Sequence, residues 1–156
     1  MKLKEIQEMI PRYTNGKEIT YKQMVYQAER KFEILFEGKY MGYQFYIMNL
    51  GTHPTAYIEI PETSKFFGKT YDEIYDMETD IDVHGGLTYS RNHLLGGEEN
   101  TWFIGWDYAH AGDYAGYSEM YPELSRLSIH DKKWTTEEIF EDVVRAIEQI
   151  KEENNE

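Results

Sequence analysis

The end of the chain holds the feature that most restricts the possible folds, an amphipathic helix with a well-marked start. Thr135 and Glu138 have the spacing of a capping box, in which each side chain accepts a hydrogen bond from the other residue's backbone amide. After them, apolar residues recur every three or four positions and form one stripe: Ile139, Phe140, Val143, Val144, Ile147 and Ile150. We therefore expect a helix to about Lys151, packed on another element, with a frayed tail over 151–156.

Earlier stretches have the composition of strands and supply a surface for this helix. Residues 43–50 and 55–60 are rich in Tyr, Phe and Ile and flank a short "GTHP" loop, which predicts an antiparallel hairpin. "DIDVHGGLTYS" and "TWFIGWDYA" are a second pair of strand candidates, and a short helix is expected near 70–76. These elements predict a small single α+β domain over 1–156, with an antiparallel sheet and flanking helices.

Two further helices are predicted near the start of the chain. Residues 3–10 form a short helix that Pro11 ends. A second helix is expected to begin at Thr20 as N-cap and to stop at Gly38, because apolar residues recur at helical spacing: Tyr21, Met24, Val25, Ala28, Phe32 and Leu35.

Composition excludes several classes of function. The 156 residues include no cysteine, which excludes disulfides, thiolate metal sites and cysteine nucleophiles. The net charge of −13 comes without a basic stripe, so a polymeric nucleic acid is not an expected partner. The start has no uninterrupted apolar run of the export type, and no run approaches the ~20 residues that span a bilayer. We expect a cytoplasmic protein without a membrane partner, and a homo-oligomer is possible.

The stretch "GWDYAHAGDY" concentrates titratable side chains, with Asp107, His110 and Asp113 at intervals of three. Gly105 and Gly112 disfavour a helix here, so we expect a strand end that runs into a shaped loop. If this strand pairs with the "DVHGGLTYS" segment, His84 lies at the same end of the sheet.

Three chemistries fit these residues, and the sequence leaves all of them open. In the first, a divalent metal such as zinc, manganese or iron binds Asp107, His110 and Asp113, together with His84. The spacing D-x-x-H-x-x-D matches no established metal motif, so no cofactor is required. In the second, His84, His110 and Asp107 perform acid–base catalysis, with Thr88 or Ser90 as nucleophile or donor.

The third chemistry is binding without turnover. Tyrosines offer stacking surfaces for a base, glycines allow backbone amides to approach a phosphate, and Arg91 supplies a cation. The candidate ligand-binding residues are His84, Gly85, Gly86, Thr88, Tyr89, Ser90, Arg91, Asp107, His110, Asp113, Tyr114 and Tyr117.

The motifs "HPTAYIEIP", "FGKTYDEI", "DIDVHGGLTYS" and "WFIGWDYAHAGDY", within 53–114, resemble a family of small bacteriophage and prophage proteins. That family has "GHP-x-x-YV-x-VP", "YGKDYD", "VHGGLTYS" and "WWIGFDCAHAGD" in the same order. Here Tyr108 stands where the family often has cysteine, so no role of that thiol carries over. The family motifs match His84, Gly85, Gly86, Thr88, Tyr89, Ser90, Asp107, His110, Gly112 and Asp113.

The resemblance implies that the protein is encoded by a phage, but it does not imply a specific activity. Small phage proteins include several that defeat bacterial immunity by acting on nucleotide signals. We therefore expect a phage-type protein of the host cytoplasm that binds and sequesters a cyclic dinucleotide or a cyclic ADP-ribose derivative. One alternative is a phosphodiesterase or other hydrolase of such a nucleotide that uses a His/Asp site. Another is an acidic inhibitor that mimics nucleic acid and binds a host protein.

Overall fold

The structure is a computed structural model that describes residues 19–20, 25–27, 30–49, 53–79, 81–94, 101–114 and 131–154. The predicted helix over 3–10 lies outside these residues, as do Tyr21, Met24, Ala28 and Tyr117. The described elements are β1 (Ile19–Thr20), β2 (Val25–Gln27), β3 (Arg30–Tyr40), β4 (Tyr43–Asn49), β5 (Pro54–Glu59), α1 (Tyr71–Asp76), β6 (Tyr89–Arg91), β7 (Phe103–Asp107) and α2 (Thr136–Glu153).

The strands form an antiparallel sheet in the order β1-β3-β4-β5-β7-β6, and β2 also pairs with β3. The predicted hairpin is confirmed as β4 and β5, which pair from Phe45 opposite Ile58 to Asn49 opposite Pro54. The α+β class is confirmed as well, because α2 packs on β3, β4 and β5. No helix in the described ranges is both long enough and apolar enough to cross a bilayer.

Helix α2 buries its apolar stripe on one face of the sheet. Its residue Phe140 lies between Phe36 and Phe45, with ring centroids 5.1 and 5.3 Å away. The helix continues to Glu153, two residues beyond the predicted end, and the Asn154 side-chain amide donates a hydrogen bond to the Ser64 hydroxyl. The buried residues of the helix include Ile139, Phe140, Val143, Ala146, Ile147 and Ile150.

The predicted capping box at the start of α2 is confirmed. The Thr135 hydroxyl accepts from the Glu138 amide at 3.2 Å, and the Glu138 carboxylate accepts from the Thr135 amide at 3.0 Å. Replacing Thr135 by alanine should lower the free energy of unfolding by about 1 kcal/mol, because an amide of the first turn loses its partner. Urea unfolding measures this loss. Thr135→Ser, which keeps the hydroxyl, should behave like the unchanged protein, and equal losses in both variants would contradict the capping role.

The predicted helix between Thr20 and Gly38 is wrong. Thr20 belongs to β1, Val25 to β2, and residues Arg30–Tyr40 form one long strand whose backbone pairs with β4. A β-bulge explains why the strand was not evident. Ile34 pairs with Met48 but Phe36 pairs with Ile47, so these two side chains join different apolar clusters on the sheet. The bulge breaks the period-two pattern by which a strand is identified.

The second pair of strand candidates is confirmed only in part. Strands β6 and β7 pair, but residues 81–88 form no strand. The reason is that Gly85 and Gly86 have φ values of +69° and +81°, in the left-handed region that no regular strand uses. The short helix predicted near 70–76 is confirmed as α1.

Candidate functional site

The register of β6 on β7 brings two loops together at one end of the sheet. Tyr89 pairs with Gly105, and the Thr88 amide donates to the Gly105 carbonyl at 2.9 Å. The loop before β6, which carries His84, therefore meets the loop after β7, which carries His110 and Asp113. The predicted placement of His84 beside these residues is confirmed.

Asp113 lies at the centre of the cluster, with its side chain 5% exposed. Its Oδ2 is 2.8 Å from His84 Nε2 and accepts from the His110 backbone amide at 2.9 Å. Its Oδ1 accepts from Trp134 Nε1 at 2.9 Å. Burial by itself would raise the pKa of Asp113, but these three hydrogen bonds outweigh burial and hold the pKa below its usual range. The carboxylate is therefore ionised at neutral pH and orients His84.

The His84 ring is held by aromatic contacts as well as by the carboxylate. It stacks on Tyr108 with a centroid distance of 4.8 Å and an interplanar angle of 2°, and it packs against Trp134 at 4.7 Å. These ring contacts and the hydrogen bond restrict the imidazole to one orientation. Sequence analysis had assigned Trp134 no role in the site.

Buried hydrogen bonds to Trp106 and Asp142 hold the Tyr108 hydroxyl in place. The Tyr108 hydroxyl donates to Asp142 Oδ2 at 2.6 Å and accepts from Trp106 Nε1 at 3.0 Å. Burial and the bond to Asp142 raise the pKa of the Tyr108 hydroxyl. Arg145 pairs with the same carboxylate from the exposed side of α2. These hydrogen bonds tie the site to the helix, so the position of His84 depends on the packing of α2.

His110 lies against Gly85 and leaves one polar atom without a partner. A side chain at Gly85 would place its Cβ 2.3 Å from His110 Cε1, so only glycine leaves room for this ring. His110 Nδ1 is 3.5 Å from Asp113 Oδ2 and 3.7 Å from Asp107 Oδ1. It is buried and has no hydrogen-bond partner among the described residues. The side chain as a whole is 37% exposed, so the cluster is accessible from solvent.

Asp107 is positioned by the end of β7. Its Oδ2 accepts from the Thr88 hydroxyl at 3.2 Å, and its Oδ1 accepts from the Ala109 amide at 3.1 Å. Thr88 and Asp107, which the sequence predicted as site residues, are therefore in direct contact. Contacts of this kind also shape the loop, which is the ordinary role of aspartate at such turns.

Three predicted ligand-binding residues lie away from the cluster. Arg91 pairs with Phe103 at the opposite end of β7, about 13 Å from Asp107 along the strand. The Ser90 hydroxyl accepts from the Tyr71 amide, and the Tyr89 hydroxyl donates to the His93 carbonyl. These contacts are structural, and they exclude Tyr89, Ser90 and Arg91 from the constellation around Asp113.

The cations near the site come instead from the segment before α2. A short parallel bridge joins Asp113 to Lys132, with the Lys132 amide donating to the Gly112 carbonyl at 2.7 Å. Lys132 Nζ lies 4.0 Å from the Trp134 ring centroid, and Lys133 Nζ lies 5.7 Å from that of Tyr114. Sequence analysis did not single out Lys132 or Lys133; the adjacent "KKW" before the helix cap is the signal that could have done so.

A groove borders the turn that carries His84. Its volume is about 610 Å³, and Val83 and Gly86, which line it, flank His84 and Gly85 in the chain. Tyr75 also lines the groove and is 38% exposed. The Tyr75 hydroxyl is fixed because it accepts from the Leu87 amide at 2.8 Å. The residues that line this open groove do not include His84, Asp107, His110 or Asp113, and the turn at residues 83–86 links the groove to the cluster.

Comparison with family models, with curated proteins and with solved structures gives no match to this chain. The resemblance to phage proteins therefore stays a prediction. The function of the site has to be inferred from its own side chains, which offer two imidazoles, two carboxylates and an exposed aromatic ring nearby.

Proposed function

We propose that the protein binds and sequesters a small nucleotide-derived ligand, of the cyclic dinucleotide or cyclic ADP-ribose type, at the cluster around Asp113. The observation that carries the proposal is a set of polar side chains held in fixed positions around Asp113, of which His110 and Asp107 are 37% and 30% exposed, one turn of chain away from an open groove. Binding sites of this kind combine a few convergent polar groups with an apolar or aromatic wall. For a phage-encoded protein, the place of action would be the host cytoplasm.

The side chains suit the polar parts of such a ligand. Asp107 is 30% exposed and its carboxylate can accept hydrogen bonds from ribose hydroxyls or base amines. The partly exposed His110 can donate to a phosphate oxygen when protonated. We assign the cationic role that the sequence had suggested for Arg91 to Lys132 and Lys133, which lie next to Trp134 and Tyr114; Lys132 Nζ also pairs with Glu138 at 2.7 Å.

Tyr75 is the best-placed surface for stacking a base. Its ring is partly exposed in the groove, and the hydrogen bond from Leu87 keeps it in one position, so stacking costs little conformational entropy. Tyr114, which the sequence suggested for this role, is a second such ring, on the side of Lys133.

A second candidate function is hydrolysis of the same class of ligand. The His84–Asp113 hydrogen bond of 2.8 Å favours it, because a carboxylate that orients an imidazole is the usual arrangement of a general base. Sequestration and hydrolysis would use the same residues and differ only in whether the ligand is changed.

One experiment separates these functions. The purified protein is incubated with a panel of cyclic dinucleotides and cyclic ADP-ribose isomers, and the free nucleotides are measured by liquid chromatography and mass spectrometry before and after heat denaturation. Sequestration predicts that one compound disappears from solution and returns unaltered on heating. A product of new mass would instead establish hydrolysis. If every compound stays free and unaltered, the proposal is wrong.

A pair of histidine variants links the result to the site. His110→Ala should reduce retention of the ligand about tenfold or more, since the solvent-accessible imidazole of the cluster is lost. His93→Ala is the matched control, because the His93 side chain hydrogen-bonds its neighbour Asn92, outside the cluster. Equal retention by both variants would place the ligand elsewhere on the protein.

A further inference from the structure

We infer that His84, His110 and Asp113 form a binding site for a divalent transition-metal ion of the zinc type. This inference does not depend on the proposed nucleotide ligand. The starting point is His110 Nδ1, a buried nitrogen that has no hydrogen-bond partner among the described residues. A buried polar atom without a partner is unfavourable and rare, so its position calls for an explanation.

The distances around this nitrogen are those of ligands rather than of hydrogen-bonded atoms. Asp113 Oδ2 at 3.5 Å and Asp107 Oδ1 at 3.7 Å are too far for a good hydrogen bond to His110 Nδ1. Two ligands of a tetrahedral zinc ion lie about 3.4 Å apart, because each is about 2.0–2.1 Å from the metal. An ion bound by His110 Nδ1 and Asp113 Oδ2 would give the buried nitrogen a partner, and the Asp107 carboxylate lies next to this pair.

His84 supplies the third ligand. One ligand atom from each of His84, His110 and Asp113 lies within 4.8 Å of the others. The present bond between His84 Nε2 and Asp113 Oδ2, at 2.8 Å, would be replaced by bonds from both atoms to the ion. Neutral His84 would then carry its proton on Nδ1. The separations between the three ligand atoms, which reach at most 4.8 Å, would adjust to about 3.4 Å, the distance between two ligands of a tetrahedral zinc ion.

The surroundings support the ligands in the way that metal sites require. Asp113 receives hydrogen bonds from Trp134 Nε1 and from the His110 amide, which fix the carboxylate and leave Oδ2 directed toward His84. Asp107 is fixed by Thr88 and the Ala109 amide. Hydrogen bonds of this kind, made by residues that do not touch the metal, orient the ligands and raise the affinity of the site for the metal.

The donor set identifies the class of metal. Two imidazoles and a carboxylate suit zinc and its first-row neighbours, whereas magnesium and calcium prefer oxygen ligands alone. Three protein ligands leave one position of a tetrahedral zinc ion for water or another ligand. A site of this composition is typical of metals that bind water or a substrate oxygen.

Calorimetric titration of the full-length protein with zinc chloride alone tests the inference. We expect one equivalent of zinc to bind, with magnesium failing to compete. Replacing His110 by alanine should weaken zinc binding by on the order of 100-fold, since loss of a supporting hydrogen bond already costs 10–100-fold. Cobalt titration gives a second measurement, because the visible spectrum of bound cobalt reports a tetrahedral site.

Matched variants keep the test decisive. His93→Ala removes a histidine outside the cluster and should leave zinc affinity unchanged. Trp134→Phe keeps an aromatic ring but removes the hydrogen bond to Asp113, so we expect its zinc affinity to fall about tenfold. This variant tests the site even if His110→Ala is poorly folded. The proposed site would be refuted if the unchanged protein bound no zinc saturably, or if His93→Ala and His110→Ala lost zinc affinity equally. Because no nucleotide is present, either result is independent of the proposed function.

Discussion

Replacing Phe140 by alanine is expected to lower the free energy of unfolding by about 3–5 kcal/mol, the range for removing a fully buried aromatic ring. Phe140 has no exposed surface, and its ring contacts those of Phe36 and Phe45, which themselves meet edge to face at 5.8 Å. The substitution therefore empties the centre of the contact between α2 and the sheet. Since small domains are stable by about 5–15 kcal/mol, much of the stability would be lost.

Chemical unfolding in urea, followed by circular dichroism, measures this loss. Phe140→Leu is the control, because it keeps most of the apolar volume and should cost less than half as much as alanine. A loss below about 1 kcal/mol in the alanine variant would mean that α2 does not pack on the sheet through Phe140.

Replacing Gly85 by alanine is expected to displace His110 and to abolish most zinc binding and ligand retention. The new methyl group would lie 2.3 Å from Cε1, 2.5 Å from Nε2 and 2.8 Å from Nδ1 of His110, distances that no real contact shows. The ring would have to leave its place between the two carboxylates. We expect a loss of at least about tenfold in zinc affinity, as for the loss of a residue that positions a metal ligand.

Gly68→Ala is the matched control for this variant. Gly68 has a φ of +77°, close to that of Gly85, but no atom lies within 4 Å of the position its Cβ would take. Both variants share the backbone strain of about 1–2 kcal/mol, and only Gly85→Ala crowds His110. Zinc titration and urea unfolding of both proteins separate the two effects. Equal zinc affinities would contradict the positioning role of Gly85.

The site illustrates which contacts can be inferred from motif spacing. His110 and Asp113 are three residues apart, and the backbone of their turn brings them together, so local sequence predicted them as a pair. Asp107 belongs to the same loop. His84 was placed correctly because two strand candidates were assumed to pair, and β6 and β7 do pair. The same antiparallel pairing places Arg91 at the opposite end of β7, and the predicted ligand-binding set that joined Arg91 to His84 overlooked this consequence.

The contribution of Trp134 could not be predicted, since it depends on a contact 21 residues away in the chain. The indole reaches Asp113 because Lys132 bridges to that residue and because α2 lies on the sheet just after it.

Local sequence was sufficient for α2, for α1 and for the β4–β5 hairpin, because caps, periodic apolar residues and a short turn act within a few residues of each other. It was not sufficient for β3, where pairing with β4 and a bulge at Ile34 and Phe36 overrode a helical pattern. The cluster around Asp113 is decided by tertiary structure for the same reason. Its side chains come from three separate segments, and only the packing of the sheet and α2 brings their polar atoms within bonding distance.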